Sequence, residues 1–483
     1  VTFTVSQIAA SLVVLAAVFA VAALIRSRVA VLRDLFLPTS VIGGGLALLI
    51  GPQVMGQITG GTSLISADVA SIWAKFPGVL INVIFAALLL GKTLPSLRGM
   101  WDASSGHVTL GYGLSFGQYA VCSLITIVIL VPVFGMAPEA AALMEIAFTG
   151  GHGTAAGLSG SFAAAGAPDL TDVALGLATI GLLSGVIVGS LLVRWAVRSR
   201  RFTIAREEPI SRSDDRDLGH QSDYDVETET TAAAEEASIA PLTAAVMFIG
   251  LSILAGAAIL EGLKAAERLL TGADAIMSLM PLFPMTIIGG MIVQYTAVRI
   301  GVARLIDRRR VNEVSGLALD VLLLTAIGTM SLAALGANLG PIIIISAAAI
   351  AWSAFGVLVL APRLFRRRWF ENAMGDYGQS QGTIATGFML IDMADPKRTT
   401  GATESFGYKQ LLFEPFVGGG FITALAIPFV HAFGPQAMLV VSTIATVAVL
   451  GFGFWLARSP VVADAATAAT SIRPRMPGAD DQA

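Results

Sequence analysis

Two glycine-rich, polar stretches interrupt an otherwise apolar chain, and their residue types define the chemistry open to it. The first, Thr149-Gly150-Gly151-His152-Gly153-Thr154, continues to Gly157 and Ser159. The second, Gly375-Asp376-Tyr377-Gly378-Gln379-Ser380-Gln381-Gly382-Thr383, is followed by Thr386. In hydrocarbon an unpaired backbone N–H or C=O costs several kcal/mol, so non-helical chain at that depth must be covered by protein or line a polar cavity. Each interior glycine also costs a helix about 1 kcal/mol against alanine. Both stretches are therefore read as re-entrant hairpins, 139–166 and 371–393, with half-helix N-termini aimed at the midplane. Those N–H groups, with Thr149, Thr154, Gln379, Ser380, Gln381 and Thr383, suit a carboxylate, and Asp376 suits an ammonium group. The alternative is that the glycines only permit close packing between helices, which leaves the Gln-Ser-Gln run unexplained. His152 either shuttles protons near neutral pH or hydrogen-bonds the opposite hairpin.

Ionisable groups at membrane depth are the next candidates, because their burial costs at least ~2.5 kcal/mol on insertion scales. Asp320, with Thr325 beyond it, is the first choice for a coupling cation; Asn82 and Glu414 complete the set. Glu145 is also within an apolar run, although it and Glu414 are alternatively close enough to an interface to be solvated. Lys409 and the pair Lys397-Arg398 are expected to anchor the cytoplasmic face. Four histidines without paired spacing and one cysteine, Cys122, leave no metal or disulfide framework. No nucleotide loop or nucleophile triad is present, so no catalytic residue, enzyme activity, cofactor or nucleic-acid partner is expected. The expected partners are the lipid bilayer and a small anionic or zwitterionic solute.

The elements that hold these residues follow from composition. Of 483 residues, 55% are hydrophobic and 13% charged, with a mean hydropathy of +0.78; a soluble chain carries about 25% charged residues. Apolar runs of about 20 residues, enough to cross the hydrocarbon, recur throughout. Eleven of the 33 acids lie between Glu207 and Glu236, so the apolar part is nearly free of them. Spans are predicted near 8–25, 35–51, 77–91, 107–134 and 172–197, then near 241–260, 276–298, 314–336, 340–362 and 408–431, with an extra span at 435–457. The first run lacks a basic flank and reads as a span rather than a signal peptide. Loops 26–34, 92–106, 299–313 and 363–368 hold 14 Lys or Arg, against Lys75, Lys264 and Arg268 on the other side. The positive-inside rule then puts the N-terminus outside and the C-terminus in the cytoplasm of an inner (plasma) membrane. The acidic, aperiodic stretch 199–239 and the tail 459–483 are expected to be flexible.

Aligning the halves reveals a repeat. Phe36-Leu37-Pro38-Thr39-Ser40-Val41-Ile42-Gly43-Gly44 resembles Phe283-Pro284-Met285-Thr286-Ile287-Ile288-Gly289-Gly290, Asn82 falls opposite Asp320, and Gly150, Gly153 and Gly157 match Gly375, Gly378 and Gly382. Five spans per half is an odd number, so the second half enters from the opposite side. The predicted fold is an all-α polytopic membrane protein of two inverted repeats (1–198 and 240–432), each of five transmembrane helices and one re-entrant hairpin, with an extra C-terminal helix at 433–458. Inverted repeats put a substrate site at their interface and permit alternating access.

On Gly150-Gly151-His152-Gly153-Thr154, the Pro38…Gly43-Gly44 element and the Gly375…Gly382 hairpin, the sequence resembles the glutamate:sodium symporter family over most of residues 8–431. The resemblance implies sodium-coupled uptake of glutamate or a related amino acid or dicarboxylate, two re-entrant loops and a homodimer that moves substrate by an elevator-like shift. The chain departs from that family in its more polar second hairpin, in Thr423 where an acid is usual, in Glu414, in the long linker and in the span after residue 434. The other readings are proton-coupled or exchange transport of another organic anion, a passive channel, and a transporter-derived sensor signalling through the linker.

Overall fold

The computed structural model describes residues 3–34, 37–92, 96–199, 239–272, 276–365 and 368–458. The linker, the C-terminal tail and Phe36 of the repeated motif lie outside the described residues, apart from the linker's ends at 199 and 239. All regular elements among the described residues are helical. The main ones are α1 (Val5–Arg28), α2 (Thr39–Ile50), α3 (Phe76–Ala87), α4 (Leu97–Ile125), α5 (Gly151–Gly157), α6 (Leu170–Ser199), α7 (Pro241–Thr271), α8 (Phe283–Arg299), α9 (Arg308–Gly328), α10 (Leu339–Phe355), α11 (Trp369–Gln381), α12 (Ile384–Ala394), α13 (Ala402–Phe413) and α14 (Phe421–Arg458). A helix satisfies its own backbone, which is why apolar runs of this length adopt it in lipid. Ends are closed by side chains where the sequence offers them: Thr4 and Gln7 form a capping box on α1, and Asp307 accepts from the N–H groups of Arg309 and Arg310 on α9.

Nine helices among the described residues are long and apolar enough to cross a membrane, where eleven spans are expected from sequence. The difference has three local causes. Helix α8 has 17 residues, or about 26 Å at 1.5 Å per residue, slightly short of the hydrocarbon. The span expected at 408–431 is broken: α13 ends at Phe413, and the chain unwinds through Gly418 and Gly419, at φ 72° and 111°, before α14 begins. The extra span at 435–457 is the second part of α14, with only Gly434 (φ 81°, ψ 165°) leaving helical geometry between the two parts.

The helices sort into two groups by packing. Helices α1 to α3 pack with α7 to α9, and α4, both hairpins, α6 and α10 to α14 pack with one another. In the first group, small residues of the repeated motif set the approach. A Cβ on Gly44 would lie 2.6 Å from Ile327 Cβ, and one on Gly290 would lie 2.8 Å from the Ala86 carbonyl oxygen. Thus Gly43-Gly44 of α2 meets α9, and Gly289-Gly290 of α8 meets α3 and α7. Buried Trp73 ties the short helix Ala67–Trp73 to α1, donating from its indole to the Ser11 carbonyl at 3.2 Å.

The second group carries a correspondence that the sequence alignment misses. Helix α4 runs into a π turn, Thr126–Leu130, and then Val131–Phe134, which contains Pro132. Helix α10 runs into a π turn, Gly356–Leu360, and then Ala361–Leu364, which contains Pro362. Proline has no N–H to donate, and a wider turn beside it absorbs the lost register.

Candidate functional site

Helix α11 is polar yet enclosed: Asp376, Gln379, Ser380 and Gln381 are all buried. Its depth follows from Gly378, where a Cβ would lie 2.6 Å from the Gly387 nitrogen of the returning arm α12. Residues Gly375 to Gln381 are helical, so the chain reverses at Gly382 and Thr383 rather than earlier in the glycine run. Thr383 is the cap of α12, accepting from Thr386 N–H at 3.5 Å, and its side chain is exposed. The first hairpin runs through a 3₁₀ turn at Pro138–Ala142 and a π turn at Glu145–Thr149, then reverses at Gly150 and Gly151 (φ 71°) into α5. The tips meet: a Cβ on Gly151 would stand 3.3 Å from the Gly382 carbonyl oxygen.

Asp376 lies between two basic groups from other helices. His107 Nδ1 of α4 is 2.7 Å from Oδ2, and Lys409 Nζ of α13 is 3.1 Å from Oδ1. Oδ1 is thus held by the lysine's charge, with no well-aligned hydrogen-bond donor among the described residues. Lys409 also donates to Gln379 Oε1 and lies 3.8 Å from the Phe413 ring centroid. It is 1% exposed, which overturns its expected place as an anchor at the cytoplasmic face. Desolvation of an ammonium this deep is offset by the carboxylate, the amide oxygen and the aromatic face together. His107 is held on its far side by Asn372 Oδ1, 3.0 Å from Nε2.

Gln118 of α4 joins the hairpins: its carboxamide oxygen accepts from Thr149 Oγ1 at 2.6 Å, and its nitrogen donates to the Ser380 carbonyl at 2.8 Å. Gln381 is fixed by Ser184, Ser353 and the Ala349 carbonyl, and Gln379 pairs with Gln410 at 2.9 Å. Thr149, Ser115, Asp376, Gln379, Ser380, Lys409 and Phe413 meet around a closed pocket too tight in this geometry to hold even a water molecule. The Ser115 hydroxyl there has no hydrogen-bond partner among the described residues. The pocket thus contains one cation and one carboxylate paired with each other, and separating them would expose the two opposite charges that a zwitterion needs.

Not every candidate named from sequence enters this pocket. His152 is buried and meets Thr179 Oγ1 at 2.8 Å, on α6 rather than on the opposite hairpin. Thr154 donates to the Gly150 carbonyl at 2.9 Å, and Gly153 faces Ile81, Leu319 and Leu322 of the other helix group. The four cation candidates do not share one cluster. Asp320 is exposed on α9, and Thr325 is buried with its hydroxyl bonded to Val321 and Leu322 carbonyls. Asn82 donates within α3, and Glu414 lies half-buried after α13. Glu145 is wholly buried, not interfacial. His107, Gln118 and Lys409 are not among the site residues named from sequence. Their only signal is a polar residue inside or beside an apolar run.

A chain of apolar spanning helices with two broken, polar segments meeting inside the bundle is a polytopic membrane protein of the transporter class. The sodium/glutamate symporter family matches residues 4–367, three quarters of the chain, and the protein belongs to that family, one of transporters rather than enzymes. The match takes in the first hairpin and ends before α11. No curated protein and no solved structure matches the chain.

Proposed function

We propose that the protein takes up glutamate, or a closely related amino acid or dicarboxylate, in symport with sodium. The observation that carries this reading is the buried Lys409–Asp376 pair between α13 and the second hairpin. Lys409 would exchange Asp376 for a substrate carboxylate, and the freed Asp376, steadied by His107, would receive the ammonium group. Thr149, Gln379 and Ser380 would complete the site, with the charge-assisted bond from Lys409 stronger than those from neutral groups. Gly150, Gly151, Gly153, Thr154, Gln381 and Thr383 would shape the two tips around it.

The division into two helix groups supports an elevator-like movement, with the hairpin-bearing group sliding against α1–α3 and α7–α9. The shared pattern of π turn and proline in α4 and α10 supports two related halves, and five spans in each, as read from the sequence, would make them inverted. The 14-to-3 distribution of basic residues supports an N-terminus outside and a cytoplasmic C-terminus. A homodimer in the inner membrane belongs to the same reading. Uptake of labelled glutamate into proteoliposomes, with and without an inward sodium gradient, tests it. Sodium-dependent accumulation is expected; no such uptake across a panel of amino acids and dicarboxylates would sink the proposal. The His107–Asp376 contact favours one second reading, proton coupling, in which a pH gradient replaces the sodium gradient.

A further inference from the structure

A second buried polar cluster lies beside the pocket and takes no part in holding the substrate. Glu145 opens the π turn that leads to the first hairpin tip and is 0% exposed. Its Oε2 accepts from Tyr119 OH at 2.5 Å, and its Oε1 accepts from Thr423 Oγ1 and from Gly418 N–H, each at 2.9 Å. These donors are all neutral, and no cationic side chain among the described residues offsets the carboxylate. An ionised group buried this way is costly unless a positive charge joins it. A carboxylate offers about four acceptor positions, and three are taken here.

The surroundings are built from oxygen. Gly418 and Gly419 belong to the unwound stretch between α13 and α14. A Cβ on Gly418 would lie 3.7 Å from the Thr149 carbonyl oxygen, and one on Gly419 would lie 2.5 Å from Thr154 Oγ1. The Glu145 carboxylate and the Tyr119 and Thr423 hydroxyls thus meet beside the unwound stretch, whose glycines lie close to the Thr149 carbonyl and the Thr154 hydroxyl. Oxygen ligands suit hard cations, and a single carboxylate balances a single positive charge. The described residues contain no cluster of three acidic, His or Cys side chains that would favour a multivalent metal.

We infer that Glu145 binds the coupling sodium ion, with Thr423 and the Thr149 carbonyl beside it. This rests on the proposed symport and adds where the ion sits. It also supplies the link between ion and substrate. Thr149 lines the substrate pocket and donates its hydroxyl to Gln118, while its carbonyl lies near Gly418, whose N–H donates to Glu145. Both ligands therefore stabilise one geometry of the same hairpin tip, and each raises the other's affinity by the same factor.

The test is sodium titration of glutamate binding to the full chain in nanodiscs, alongside the sodium-induced rise in melting temperature. Glu145→Gln keeps an acceptor oxygen for Gly418 and Thr423 but removes the charge. It is expected to raise the sodium concentration for half-maximal binding about tenfold or more, within the usual range of coupling, and to abolish the sodium-induced melting shift. Thr423→Val is expected to do the same more weakly, and it decides the matter if Glu145→Gln does not fold. Lys409→Met is expected to weaken glutamate binding by roughly 10- to 150-fold but keep the sodium-induced shift. A folded Glu145→Gln or Thr423→Val protein with wild-type sodium half-saturation overturns the site while leaving symport intact. Wild-type uptake indifferent to sodium overturns the symport reading, and the site with it.

Discussion

Replacing Lys409 by methionine keeps most of its volume and removes its charge, which isolates what the buried pair does. The lysine and Asp376 are 3.1 Å apart, and both side chains are at most 1% exposed. Removing one partner of such a pair costs ~3–5 kcal/mol, because the other charge stays buried and alone. Asp376 is not left alone, since His107 remains 2.7 Å away, so a loss of about 3 kcal/mol at the low end of that range is expected. Adding Asp376→Asn removes the stranded carboxylate. The double variant should then be more stable than the sum of the single effects by about 2 kcal/mol, as expected for directly coupled neighbours. Reversible unfolding in mixed micelles, run as a double-mutant cycle, measures this. For substrate, a hydrogen bond to a charged group is worth about 1.5–3 kcal/mol, so Lys409→Met should weaken glutamate binding by roughly 10- to 150-fold. Single effects that add within about 0.5 kcal/mol, with unchanged glutamate affinity, would refute both the pairing and its exchange for substrate.

Two further outcomes are expected. A Cβ on Gly157 would lie 2.8 Å from Ile81 Cγ1, across the boundary between the two helix groups, so Gly157→Leu should leave glutamate binding within a few-fold of wild type while slowing uptake at least about tenfold, since only the moving step is obstructed; equal losses in both measurements would argue against a sliding boundary there. Asp395, in the loop after α12, is pushed up by burial but pulled further down by hydrogen bonds from the Thr400 hydroxyl and N–H (2.5 and 2.8 Å) and from Thr399, so its carboxyl sits below its ordinary value. A carboxyl held lower in the fold than in the unfolded chain stabilises above its unfolded pKa of about 3.9 and loses that contribution as pH falls through the folded value. Asp395→Asn should therefore lower the melting temperature at pH 7, with the gap to wild type closing below about pH 4; a gap that is the same at pH 3.5 and pH 7 would contradict it.

Residue types and local spacing predict the broken segments well, and they predict long-range partners poorly. The Gln-Ser-Gln run announces itself because three polar side chains in an apolar, glycine-rich stretch have no cheap packing role, and all three are buried in α11. Asp376 stands out for the same reason. Lys409 does not, because a basic residue near the end of an apolar run looks like an interfacial anchor until the fold brings Asp376 against it. Glu145 is misjudged in the opposite sense: its apolar flanks fit an interface, and only the unwound Gly418 and the distant Tyr119 and Thr423 reveal a buried cluster. The hairpin reversal at Gly382 is legible as a glycine but not as the turn, since Gly375 and Gly378 carry the same signal and serve close packing of the arms instead. The helix group α1–α3 with α7–α9 is announced by its paired glycines. The break after Phe413 is concealed by an apolar run long enough to pass for one span.

The two π turns, Thr126–Leu130 and Gly356–Leu360, have a mechanical consequence. A π turn stores one residue more than an α turn. If that residue is released, the segment beyond it rotates by about 100° and advances by about 1.5 Å, the step of one helical residue. The π turn can also pass along the helix one residue at a time, each amide exchanging one carbonyl partner for the next. Neither movement leaves a bare N–H in hydrocarbon, which is what makes a sliding hinge inside a membrane so costly elsewhere. Helices α4 and α10 border the pocket and the second hairpin. Each therefore contains an adjustable screw thread, with a proline just past it marking where the thread ends.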